Sequence, residues 1–111
     1  MIFSTQYRLQ SKEDYSKVFN QPKFIKHQKH LMLLAAPNDL QHARLGLAIA
    51  KKHVKRAVDR SRIKRILRET FRARLNSLPA LDMVFLAKLG IHKQNRQSLR
   101  LSADRILEEL K

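Results

Sequence analysis

The chain has 111 residues, 43% of them hydrophobic, and carries 24 Lys and Arg against nine Asp and Glu for a formal net charge of +15. That size suits one compact domain spanning 1–111, with enough apolar material for a core and no room for a second. The lack of cysteine excludes disulfides, thiolate metal sites and a Cys nucleophile. The N-terminal MIFSTQYRLQ has no apolar core of signal-peptide length, and no segment nears the roughly 20 apolar residues of a membrane span, so a soluble cytoplasmic protein is expected.

In chain order, SKEDYSKVF places Ser11 to cap a helix with Asp14 three residues on, and Tyr15, Val18 and Phe19 share one face, which predicts a short helix from Lys12 to Phe19. Pro22 breaks it, and an irregular connection follows, with a further strand suspected around Lys23 to Lys26. HLMLLAA, from His30 to Ala36, is an apolar run too short for a core helix and is bounded by Pro37, Asn38 and Asp39, which predicts a buried strand and a turn. RLGLAIA, from Arg44 to Ala50, alternates Leu45, Leu47 and Ile49 with Gly46, Ala48 and Ala50; its small face suits a closely packed helix or a shallow groove. The short connection between these strands predicts that they pair antiparallel.

Lys51 to Arg74, KKHVKRAVDRSRIKRILRETFRAR, holds eleven of the cations against only Asp59 and Glu69. From Ala57 to Asn76 the residues Ile63, Ile66, Leu67, Thr70 and Phe71 recur at helical spacing, so this face should bury against the sheet. At the 100° per residue of an α-helix, Lys64, Arg65, Arg68 and Arg72 gather on the opposite side. Asn76, Ser77 and Pro79 end the helix, DMVFLA from Asp82 to Ala87 reads as a strand, and Gly90 marks a turn. A last helix is predicted from Gln94 to Leu110 with Leu99, Ala103, Ile106, Leu107 and Leu110 inward. The order gives an α+β class, with helices layered on a sheet.

The five histidines are dispersed without paired carboxylate or thiolate companions at ligand spacing, no Gly-rich phosphate loop exists, and most of the carboxylates sit in helices beside Lys or Arg. Neither a catalytic group nor a metal site is expected in the protein. An amphipathic basic helix also suits a solvated face or an anionic membrane surface, but a patch this dense on a helix whose apolar side is needed for the core favours nucleic acid. A DNA recognition helix would follow another helix across a tight turn; here a strand and a basic loop precede, which favours RNA. Helical spacing favours Tyr15 and Phe19 as anchors of the first helix on the sheet, with base stacking or cleft lining the rival and compatible use. A structural RNA-binding protein such as a ribosome-associated factor is the alternative from another class.

RLGLAIAKKHVKRAVDRSRIKRILRETFR, with RLQSKEDYSKVF before it and LPALDMVFLAKLG after it, closely resembles the protein subunit of bacterial ribonuclease P over nearly the whole chain. The resemblance implies a two-layer α/β sandwich, an about four-stranded mixed sheet with three helices and a left-handed crossover carrying the long helix, against the usual right-handed rule. It implies a partner of a catalytic RNA that removes the 5′ leader of precursor tRNA by Mg²⁺-dependent hydrolysis, one protein per RNA, with the metal held mainly by RNA. Carried over, Lys51, Lys52, Lys55 and Arg56 of the loop and Arg60, Arg62, Lys64, Arg65, Arg68 and Arg72 of the helix meet the RNA subunit, while Tyr15 and Phe19 line the leader cleft. Where the family usually has Asn after the first signature arginine this chain has the shorter Ser61, and Met32 stands near a strand position that is often aromatic.

Overall fold

A computed structural model describes residues 5–110; the first four residues of the N-terminal stretch and Lys111 lie outside the described residues. Helix α1 (Lys12–Asn20) starts at a capping box: the Asp14 N–H donates to Ser11 Oγ at 3.1 Å and the Ser11 N–H to Asp14 Oδ2 at 3.4 Å. This satisfies N–H groups that the first turn leaves without helical partners. Burial pushes the Asp14 carboxyl up, but the N–H groups of Ser11 and Gln10 and the Arg44 guanidinium hold it below its ordinary value.

Strands β1 (Phe24–His27), β2 (Leu31–Pro37), β3 (Arg44–Ala48) and β4 (Leu81–Ala87) form one sheet in the order β1-β2-β4-β3. The β1–β2 and β2–β4 pairs are antiparallel, while β3 runs parallel to β4, with the long helix α2 (Ala57–Arg74) making the crossover between them. The fourth strand suspected at Lys23 to Lys26 is therefore β1, displaced by one residue.

The expected β2–β3 pairing does not form, because β4 lies between them. Two features favour that insertion. β4 buries Met83, Phe85 and Ala87 on one face and Val84 on the other, so it needs neighbours over both faces and on both edges. Asp82, opposite Arg44 in the register, accepts from Arg44 Nε at 2.9 Å and from its NH2 at 2.8 Å. The short connection after β2 runs across the end of β4 instead of folding back as a hairpin: Asn38 Nδ2 donates to Asp82 Oδ1 at 2.9 Å, and Asn38 Oδ1 accepts the Leu40 N–H at 3.0 Å.

Alternation along the strands sends one set of side chains to each sheet face. Leu31, Leu33, Ala35, Leu45, Met83 and Phe85 pack with α2 and with α3 (Arg96–Glu108). All five residues of the predicted α2 seam, Ile63, Ile66, Leu67, Thr70 and Phe71, are buried, and Thr70 Oγ1 donates to Ile66 O at 2.8 Å. The predicted inner face of α3 is buried as well, although the helix proper starts at Arg96, where Asn95 Oδ1 caps the Ser98 N–H at 2.8 Å. On the other face Leu34, Ala36 and Val84 meet Leu9 and Val18, so α1 lies opposite α2 and α3 and covers only part of that side. α2 ends at Arg74, two residues before the expected Asn76, in a 3-10 turn Leu75–Ser77. Gly90, at φ 94°, begins another 3-10 turn in the left-handed region where side chains are disfavoured.

Because β3 and β4 are parallel, the basic loop after β3 and the Lys88–Gly90 turn after β4 leave the same end of the sheet. The antiparallel β1–β2 turn, with His27, Lys29 and His30, lies at that end too.

Candidate nucleic-acid interface

The cations of the basic stretch divide into groups with different surroundings. Lys51, Lys52, Lys55 and Arg56 are all exposed on the loop, which is shaped by the N–H groups of His53 and Val54 donating to Ala50 O, each at 3.0 Å. Arg60 and Arg62 are half-buried and reach backbone carbonyls. Arg60 NH1 donates to Val54 O at 3.0 Å and Lys55 O at 2.9 Å, while Arg62 donates to His92 O at 3.1 Å and Gln94 O at 3.2 Å. These arginines thus hold the loops at either side of the α2 N-terminus, with the rest of each five-donor fork still available to a ligand. Arg74, on the same helix, pairs with Asp104 at 2.9 Å and with Glu108, and Glu69 pairs with Arg96 at 2.8 Å; these contacts fasten α2 to α3. The Arg74 guanidinium is accordingly held above its ordinary value, chiefly by Glu108 and then Asp104.

Arg65 is exposed, and Lys64, Arg68 and Arg72 are half-buried; the predicted stripe lies along the side of α2 away from its seam. Lys64 and Arg68 reach round the β3 edge of the sheet into a concavity of about 260 Å³ lined also by Arg8, Tyr15 and Leu47. Burial, together with repulsion from Arg8, lowers the Arg68 pKa, while Tyr15 opposes the shift. Guanidinium stays charged under all ordinary conditions, so the crowding leaves a positive seat suited to an anion. Arg8 was not legible as a site residue: nothing in its local sequence distinguishes it, and only the Arg8–Leu45 bridge along the free side of β3 brings it there. The concavity joins the α2 stripe to the α1 face, so surfaces that sequence treats as separate meet at Arg68 and Tyr15.

Tyr15 is fixed in place. Its hydroxyl accepts the Leu47 N–H at 3.3 Å, and its ring lies so close to β3 that a methyl group at Gly46 would come within 2.7 Å of it. The small face of β3 therefore admits α1 at Gly46, the first of the two alternatives expected of it, and a shallow concavity lined by Ala48 and Leu86 lies beyond. Phe19, one turn along α1, remains 40% exposed. Met32, Leu86 and Ala48 are half-buried beside this apolar cluster, forming a strip of sheet that α1 leaves open. Ser61 is exposed on the first turns of α2.

Among the described residues no group of three His, Asp or Glu side chains could hold a metal ion. The surface itself is cationic, so its donors do not fit Mg²⁺, which takes carboxylate and phosphate oxygens. No helix is long and apolar enough to cross a membrane among the described residues.

A cationic helix stripe, a basic loop and a partly apolar open sheet face together have the chemistry that suits a flexible polyanion with stacking bases. The family model Ribonuclease P matches residues 3–111. A ribonuclease P protein component of Haemophilus influenzae is 45% identical over 108 residues, covering 97% of this chain and 87% of the relative. One from Idiomarina loihiensis is 44% identical over 98 residues, covering 88% and 78% respectively. The chain belongs to the ribonuclease P protein family, the protein components of a tRNA-processing ribonucleoprotein nuclease. The RNase P protein of Staphylococcus aureus shares the fold at a TM-score of 0.87 and 24% identity over 95% of both chains. That of Thermotoga maritima, in complex with 1-(4-fluorophenyl)-2-thiourea, does so at 0.84 and 23%, over 94% of this chain and all of the other.

Proposed function

We propose that this chain binds the catalytic RNA of ribonuclease P through its basic loop and α2 stripe, and holds the single-stranded 5′ leader of precursor tRNA on the open face beside α1. Family membership implies the RNA partner. The observation that supports the division of labour is the Arg8–Lys64–Arg68–Tyr15 concavity, which joins the cationic stripe of α2 to the face that carries Tyr15. A strand crossing the β3 edge would exchange phosphate contacts for base contacts without leaving the protein.

In this reading the protein supplies no catalytic group. Its residues act before the chemistry: Lys and Arg neutralise phosphates that otherwise repel, and Tyr15 and Phe19 orient the leader, raising affinity for precursor over mature tRNA. The Mg²⁺ that serves hydrolysis is held mainly by RNA, and charge neutralisation by the protein lowers the concentration needed. The working unit is one protein per RNA, in the cytoplasm.

Reconstitution tests this. Added to a bacterial ribonuclease P RNA at low Mg²⁺, the protein should stimulate leader release; absence of stimulation would favour a structural RNA-binding role, such as that of a ribosome-associated factor. Cleavage by the protein alone would overturn the assignment of chemistry to RNA. Phe19→Ala should reduce the preference for precursor over mature tRNA by about 10-fold, as expected for one lost stacking contact of 1–3 kcal/mol. Circular dichroism should be unchanged, since Phe19 is largely outside the core. An equal loss for both RNAs would count against the cleft.

A further inference from the structure

The open strip on the α1 side of the sheet is a row of paired residues running His27, Met32, Leu86 and Ala48 across β1, β2, β4 and β3. Met32, Leu86 and Ala48 present apolar surface with no strong hydrogen-bonding group. They can support bases but cannot tell one from another. His27 is the member of this row with both a ring and an N–H, and it is exposed at the edge strand. Its ring is not free to choose its tautomer: Lys88 Nζ lies 3.1 Å from His27 Nδ1 while also donating to Gln28 O at 3.0 Å. An ammonium has no lone pair to offer, so Nδ1 accepts and the proton of the neutral ring sits on Nε2. The described ion pairs and hydrogen bonds give His27 no carboxylate partner, and Lys88 is the charged group placed against it.

From this arrangement we infer that His27, with its tautomer set by Lys88, reads a base of the bound leader by donating Nε2–H to an acceptor on the base edge. Lys88 is a positioning residue, and His27 determines specificity. The inference rests on the leader lying on the α1 face, and it gives a strip without an aromatic side chain at Met32 one group able to distinguish bases. Base edges that present ring nitrogens or carbonyl oxygens are favoured at that position, and edges that present an amino group are not.

The test is competitive cleavage of precursor tRNAs randomised through the leader, using holoenzyme reconstituted from the RNA subunit and either this protein or a variant. Sequencing of the products gives relative kcat/KM for each base at each position. The wild type should show a preference at one leader position. His27→Phe, which keeps a ring and loses the donor, should flatten it by about 3- to 10-fold, the size of one neutral hydrogen bond. His27→Gln, which keeps an N–H, should retain most of the preference, and Lys88→Met, which frees the tautomer, should weaken it. A positional profile in His27→Phe that matches the wild type, or a wild-type profile with no preference, would overturn the inference. Phe19→Ala run in parallel separates the levels: if it loses precursor affinity while His27→Phe changes nothing, only the His27 role fails. If neither variant changes anything, the leader does not lie on this face.

Discussion

Asp82→Ala is expected to lower the folding free energy by about 3 kcal/mol, toward the lower end of what breaking a buried ion pair costs. The Asp82 side chain is 6% exposed and that of Arg44 is 20% exposed. Two parallel N–H···O bonds join them, and the Asn38 amide bonds the same carboxylate. Removing Asp82 strands a largely buried guanidinium whose remaining partner, Asp14, is 3.4 Å away, and deprives the turn after β2 of its anchor. Hydrogen bonding to Asp82 is the leading reason that the Arg44 pKa is raised. Urea denaturation checks the expectation: the midpoint should fall with an unchanged slope, because the same surface is exposed on unfolding. A loss below about 1 kcal/mol would mean that desolvation nearly cancels the pair.

Arg68→Ala is expected to weaken binding of the RNA subunit by about 10- to 100-fold, the equivalent of losing charge-assisted hydrogen bonds worth roughly 1.5–3 kcal/mol. The residue is selected by its surroundings and not by charge alone. Arg60 and Arg62 spend donors on backbone carbonyls, and Arg74 is committed to α3, whereas burial and the nearby Arg8 both work against the charge on Arg68, with Tyr15 opposing them. Titration at several salt concentrations separates lost phosphate contacts from misfolding. The slope of log K against log salt should become shallower by about 0.7–0.9 for each phosphate contact removed. Weaker binding with an unchanged slope would mean that Arg68 acts on the shape of the site.

What sequence made legible follows from the range of the interactions. The capping box at Ser11 and Asp14 spans one helical turn, and the seams of α2 and α3 depend on period alone, so each could be read before any tertiary contact was known. The neighbour of β3 could not be read from its own segment. Short connection length favours pairing with β2, and this is overruled by an apolar strand nearly 40 residues further along whose Asp82 meets Arg44; the mixed sheet was implied by the family resemblance. Charge density marked a candidate surface for a polyanion without sorting its members. Whether an arginine clamps a loop, fastens a helix or faces a ligand depends on carbonyls and carboxylates contributed by distant segments. Arg8 entered the site for the same reason, carried by a bridge to β3 that leaves no local signature.

The parallel alignment of β3 and β4 has a consequence for encounter kinetics. Cations of the loop after β3, of the turn after β4 and of the β1–β2 turn gather at one end of the sheet, while toward the other Arg44 is balanced by Asp14 and Asp82, and Arg74 by Asp104 and Glu108. Such a separation gives the molecule a permanent electric dipole along the strands as well as a net charge. In the field of a large RNA, net charge draws the protein in from any orientation, but a dipole also exerts a torque, turning the cationic end forward before contact. Fewer collisions are then wasted on the wrong face.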